Sequence, residues 1–170
     1  MNQFDQFQSA LSLTKVSEQI FAFTPDSRYF VGNTPHGGYL MAIMNKALSS
    51  VMPHPSAINS NIYYLDRTEP AEAEIHIEIL RTSRGSTMGQ AKLIQDGKIR
   101  CLFSGLYSDF KYMKGYSGLG TPVPSIMHSV AEEEYKAMSY DILKPGSTPS
   151  FIQQLELSVH PQHAWWDREI

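Results

Sequence analysis

Residues 37–48, GGYLMAIMNKAL, have the composition of a helix whose apolar side chains fall on nearly every side, closed by Ser49-Ser50 and by Pro53 and Pro55. A helix of that kind cannot rest on a surface with one face in water, so the remaining chain has to enclose it. The segments around it are suited to do so. Residues 72–80, EAEIHIEIL, alternate so that Ala73, Ile75, Ile77 and Ile79 share one face of a strand while Glu72, Glu74, His76 and Glu78 share the other. Residues 88–95 and 98–110 flank Asp96-Gly97, a pair that favours a type I′ turn and joins the two strands antiparallel. Residues 58–65 (INSNIYYL) form a further strand, and residues 18–24 (EQIFAFT) another ahead of the helix, ended by Pro25-Asp26-Ser27. Phe4, Phe7 and Leu11 have the spacing of a short amphipathic helix lying over something apolar. The expected architecture is α+β: a five-stranded antiparallel sheet, dry on one face, curled around one central helix.

The chain has 170 residues, 42% of them apolar and 18% charged, which suits one compact domain with a remainder. That remainder begins near residue 113. Gly115, Gly118, Gly120, Pro122, Pro124, Pro145, Gly146 and Pro149 mark a linker over 113–150 with a possible short helix near 129–138, and residues 151–159 (FIQQLELSV) have the look of another strand. A net charge of -3 gives no counterion-release term to hold nucleic acid. The longest uninterrupted apolar run, residues 39–44, is far too short to span a bilayer, so no membrane role is expected and the reading is a soluble, cytoplasmic protein. Cys101, the single cysteine, excludes an intrachain disulfide and suits buried packing.

Four stretches in order, PHGGYLMAIMNKAL at 35–48, NIYYLDRTEP at 61–70, EILRTSRGSTMGQAKLIQDGK at 78–98 and the strand RCLFSGLYSDF that follows, resemble the hot-dog superfamily, and within it the acyl-CoA thioesterase II (TesB-like) proteins. The likeness covers about residues 13–110. It implies a hot-dog domain over 1–112, the linker 113–150, and over 151–170 the start of a second, incomplete hot-dog repeat. It also implies hydrolysis of fatty acyl-CoA thioesters, or a contribution to it, on an acyl-CoA or acyl-carrier substrate. In two-repeat relatives the catalytic Asp, Thr and Gln come from the second repeat.

Thioester hydrolysis needs a place for the developing oxyanion and a group that orients or activates water. The start of the central helix offers unpaired N–H groups, and Gly37 and Gly38 have no Cβ to obstruct a substrate, so these two are the expected oxyanion site. A tight helix entry would require the same glycines without any chemistry. Single-repeat thioesterases with this helix start commonly carry an Asp or Glu two turns on. Counting seven residues from Gly38 gives Asn45, whose amide can hold water but cannot take its proton. No Asp or Glu lies between Ser27 and Asp66. His36 could orient the thioester or a water, or merely serve as a structural hydrogen-bonding group. Tyr39 and Tyr64 are expected to contact substrate, and Arg81, Arg84 and Ser86 form a basic, turn-like segment suited to CoA phosphates or to nothing more than a solvated loop. His160 and His163 have a ligand-like gap but no cysteine beside them, so no metal is expected. No cofactor is expected; the lack of G-x-S-x-G counts against an α/β-hydrolase, and the lack of G-x-G-x-x-G and P-loop motifs counts against nucleotide-driven chemistry. A noncatalytic acyl-binding or assembly module is the alternative, favoured by Asn45; a hydratase would need more than His36. Open sheet edges in a fold of this kind point to a homodimer or larger homo-oligomer.

Overall fold

The computed structural model describes residues 2–116, 118, 120–122, 136–137, 149–155 and 157–160. Asn2 caps the first helix, α1 (Gln3–Ala10), by accepting the Asp5 N–H at 2.8 Å. The chain then runs through β1 (Thr14–Lys15) and β2 (Ile20–Phe23) into a single 3-10 turn at Ser27–Tyr29 and a small hairpin, β3 (Phe30–Val31) and β4 (Thr34–Pro35). The central helix α2 (Gly37–Ser49) follows, and then four long strands, β5 (Ser56–Tyr64), β6 (Ala73–Thr82), β7 (Ser86–Gln95) and β8 (Lys98–Ser108).

The main sheet is antiparallel throughout, in the order β1-β2-β6-β7-β8-β5. It has six strands where five were expected, because the two-residue β1 pairs with β2 and extends the edge. The β7–β8 turn is the one expected. Asp96 at φ 51° and Gly97 at φ 71° both occupy the left-handed region that a type I′ turn requires, and Gln95 faces Lys98. On β6 the two faces separate as the alternation demands: Ala73, Ile75 and Ile77 are buried, while His76 and Glu78 on the outer face bond to Glu74 and to Gln90, each at 2.7 Å.

The sheet closes over α2. Ile43, Met44, Ala47 and Leu48 have no exposed surface, and they meet Ile75, Leu93, Cys101 and Phe103, which have none either. Enclosure is incomplete, however. Met41, Ala42, Asn45 and Lys46, neighbours at i, i+4 on one stripe, remain partly exposed. That sheet-and-helix arrangement is the hot-dog fold.

Beyond the hot-dog unit the sequence reading needs correction. Residues 151–159 are not a continuous strand. Ser150–Gln154 form a 3-10 turn, with Ile152 N–H donating to Pro149 O and Leu155 N–H to Ile152 O, and among the described residues of this stretch the paired strand is Ser158–Val159 (β10). Strand preference reflects a pleated surface to pack on; residues 150–154 pack instead against the 3-10 turn at 27–29 and the short strand β3. β10 pairs with β9 (Lys136–Ala137), so those two residues are extended and not helical. The rest of the helix expected near 129–138, and residues 161–170, lie outside the described residues.

Candidate active site

The start of α2 is built by the hairpin before it. Pro35 ends β4, and His36 takes extended backbone angles (φ -62°, ψ 137°) as the N-cap. Three hydrogen bonds fix this residue. Its N–H donates to Tyr29 O at 2.8 Å, its carbonyl accepts the Leu40 N–H at 3.1 Å, and its ring Nδ1 accepts the Gly38 N–H at 3.1 Å. The expected oxyanion donor is therefore already bonded, to the side chain two residues before it. For Nδ1 to accept, the ring must carry its proton on Nε2.

Both glycines answer to close neighbours. A Cβ on Gly37 would lie 2.8 Å from the Tyr64 hydroxyl, which donates to Gly37 O at 2.7 Å, and a Cβ on Gly38 would lie 3.1 Å from the His36 ring. Close packing and an exposed helix start thus call for the same residues, and glycine here serves both. Tyr39, the next residue, is buried. Its hydroxyl donates to Ala10 O at 2.8 Å and accepts the Asp26 N–H at 3.2 Å, and its ring stacks on Tyr29 at 5.2 Å. Burial raises the pKa of Tyr39 and, less deeply buried, of Tyr64. Tyr39 can offer substrate a ring but has no spare hydroxyl.

Two cavities flank this helix start. One, of about 410 Å³, is lined by Gly37, Tyr64, Thr34, Asp66, Arg67 and Thr68 among others. The other, of about 390 Å³, is more aromatic, and Phe7, Tyr29, His36, Gly38, Tyr39 and Phe151 contribute to its walls. Asp66 is a carboxylate at this site that the sequence reading missed. It follows β5, and only the register of that strand against β8, with Tyr64 facing Cys101, brings it to the helix start. The Arg67 backbone N–H, bonded at 2.8 Å, and Arg100, bonded at 2.6 Å, hold the Asp66 carboxyl below the usual carboxylate range. A carboxylate so held remains ionised and can orient water, but it is a weak proton acceptor.

Asn45 lies two turns along α2, and its Oδ1 accepts the Tyr107 hydroxyl at 2.6 Å. Burial pushes Tyr107 up to about 12. The tyrosine gives Asn45 a structural partner at its side-chain oxygen.

Arg81, Arg84 and Ser86 are not at this site. In the sheet, Ser86 and Ser56 both face Ser108, whereas Tyr64 and Leu93 both face Cys101, so the two groups sit at opposite ends of β8. Seven residues of strand separate those levels, roughly 23 Å. The β6–β7 turn is pinned locally, with the His54 ring bonded to Thr87 Oγ1 and Arg84 O and with Ser83 and Ser86 bonded to each other. Within one copy these residues and the helix start do not form one pocket. His163 lies outside the described residues, and among the described residues no group of three or more metal-ligand side chains occurs. No described helix is long and apolar enough to cross a membrane.

Residues 25–108 match the family of acyl-CoA thioesterase N-terminal domains. That segment belongs to the family. Among solved structures, a thioesterase II candidate from Thermobifida fusca YX is 20% identical with a TM-score of 0.73, the match covering 92% of this chain and 55% of that one. A hot-dog protein of unknown function from Alicyclobacillus acidocaldarius is 16% identical at a TM-score of 0.72, covering 87% and 52%. The tesB protein of Mycobacterium avium subspecies paratuberculosis is 16% identical at 0.57, covering 73% and 49%. At these identities the likeness establishes the hot-dog fold, and the chain spans about half the length of each of the three. No curated protein sequence matches.

The burial of the Tyr107 hydroxyl yields a pH prediction for this thioesterase-family domain. The tyrosine is harder to ionise folded than unfolded, so its contribution is fully present below pH 10 and is lost as pH rises toward about 12. Unfolding by urea at several alkaline pH values should show stability falling across that window, and Tyr107→Phe should flatten the fall while costing about 1 kcal/mol at neutral pH. An unchanged alkaline slope in the variant would contradict this assignment.

Proposed function

We propose that the chain binds acyl-CoA thioesters at the start of α2 and contributes to their hydrolysis. The observation that carries this reading is the position of Gly37 and Gly38, backbone donors at a helix N-terminus, between two cavities that together could take both arms of a thioester. In hydrolysis, water adds to the thioester carbonyl, the oxyanion is held by backbone N–H, the C–S bond breaks, and a proton reaches the departing sulfur. His36 must turn off Gly38 for that N–H to serve. An aimed donor of this kind can contribute about 3 kcal/mol to the transition state. Asp66 is placed to orient water; Asn45 cannot act as a base.

A noncatalytic acyl-binding module is the second reading, favoured by the way each candidate group is already partnered: Gly38 N–H by His36, Asn45 by Tyr107, Asp66 by Arg100. Hydrolysis of medium-chain acyl-CoA by the purified chain, followed as free thiol, separates the two. Activity in the parent, cut at least tenfold by Gly38→Val with the fold retained, is the expected result. Equal turnover in parent and variant at matched folding would refute the oxyanion role.

The edge strand β5 supports a proposal about assembly. Ile58, Tyr63 and Tyr64, with Leu65 just beyond, are 40–58% exposed along a strand that has one unpaired side among the described residues, which is a liability in solution. A second copy pairing β5 antiparallel about a two-fold axis would cover it. Tyr64 would then lie opposite the Ser56 end of the neighbouring strand, which is also the end where Arg84 and Ser86 sit, so the separated groups would meet across copies. Light scattering should report a dimer or larger assembly at micromolar concentration; a stable, folded monomer would contradict it.

A further inference from the structure

The aromatic cavity has a wall that comes from outside the hot-dog unit. Phe151, on the 3-10 turn Ser150–Gln154, stacks on the His36 ring with centroids 4.1 Å apart and planes 20° from parallel. Across the cavity, Phe7 from α1 meets Tyr29 edge-on at 5.4 Å, and Tyr29 stacks on Tyr39. Gly38 is part of the cavity's lining. The opposite cavity has Thr34, Asp66, Arg67 and Thr68 in its lining. We propose that the aromatic cavity is the acyl subsite and that Phe151 determines which acyl chains it accepts. This rests on the reading of the helix start as the carbonyl site.

The argument is one of polarity and direction. A thioester carbonyl placed at the α2 N-terminus has an apolar arm and a polar pantetheine arm leaving it on opposite sides. The aromatic cavity suits the first, and its volume of about 390 Å³ lies within the range of small-ligand sites. The side lined by Asp66 and Arg67 suits the second. Phe151 has a further effect, because its ring lies against the same imidazole that caps Gly38. An acyl chain entering between Phe151 and Tyr29 would press on that stack and help turn His36 away from the N–H it occupies. Phe151 thus sets the length of the cavity and acts as a positioning residue for His36.

The test compares the parent chain with Phe151→Ala and Phe151→Trp, using decanoyl-CoA and butanoyl-CoA as substrates and the nonhydrolysable decyl-CoA thioether as a binding probe measured by calorimetry. Phe151→Trp fills the cavity and should lower kcat/KM for decanoyl-CoA about tenfold relative to butanoyl-CoA. It should also weaken the thioether about tenfold while leaving CoA itself unaffected. Phe151→Ala should move the decanoyl-to-butanoyl ratio the other way by at least threefold, which keeps the test valid if the tryptophan variant does not fold. If the parent hydrolyses neither substrate but its thioether affinity responds to these variants as stated, the subsite stands and the hydrolytic reading falls. Thioether binding that is undetectable in the parent, or ratios and affinities within twofold of the parent in both folded variants, would overturn the subsite.

Discussion

Burial of α2 beneath the sheet is the constraint on which the other features depend. Ile43, Met44, Ala47 and Leu48 lose all contact with water against β6, β7 and β8, and Ile43, Met44 and Leu48 are each worth roughly 2 kcal/mol of hydrophobic stabilisation. A helix seated so firmly has a fixed axis, and its N-terminus must emerge at one end of the sheet. The β3–β4 hairpin, closed by His36 N–H to Tyr29 O, then fixes which residues stand at that end. Site geometry is in this sense a product of core packing, and the glycines occupy a place that the core has already chosen.

What the core delivers there is a set of groups with partners. Gly38 N–H, Gly37 O, the Tyr39 hydroxyl, Asn45 Oδ1 and the Asp66 carboxylate each make a hydrogen bond within the chain. The first is held by the His36 ring, which has one hydrogen bond to Gly38 and one stacking contact with Phe151. On the proposed reading, chemistry at this site begins with His36, and Phe151, which restrains its ring, then bears on function as well as on the scaffold.

Local chemistry was legible in the sequence and register was not. Asp96-Gly97 demanded a turn with two left-handed residues, the alternation over 72–80 demanded one wet and one dry face, and the all-round apolar helix demanded enclosure; each of these depends only on neighbours in the chain. Asp66 was invisible as a site residue because its position follows from how β5 pairs with β8, a matter settled by strands distant in sequence. The basic segment at 81–86, suited to CoA phosphates or to a solvated loop, could not be located relative to the helix start for the converse reason: no local signal says which end of the sheet a turn will occupy. Residues 151–154 looked like strand because the pattern FIQQ fits a pleated surface, and nothing nearby shows that Phe151 would instead be used against an imidazole.

The central claim is that the α2 N-terminus is where a thioester carbonyl binds, displacing His36 from Gly38. Amide NMR during titration with the decyl-CoA ketone analogue, which replaces the thioester sulfur by methylene and keeps the carbonyl, tests it most directly. The account predicts that the Gly38 N–H resonance moves with saturation, accompanied by the His36 ring signals, as one hydrogen bond is exchanged for another. Saturable binding that leaves Gly38 and His36 unmoved would contradict it.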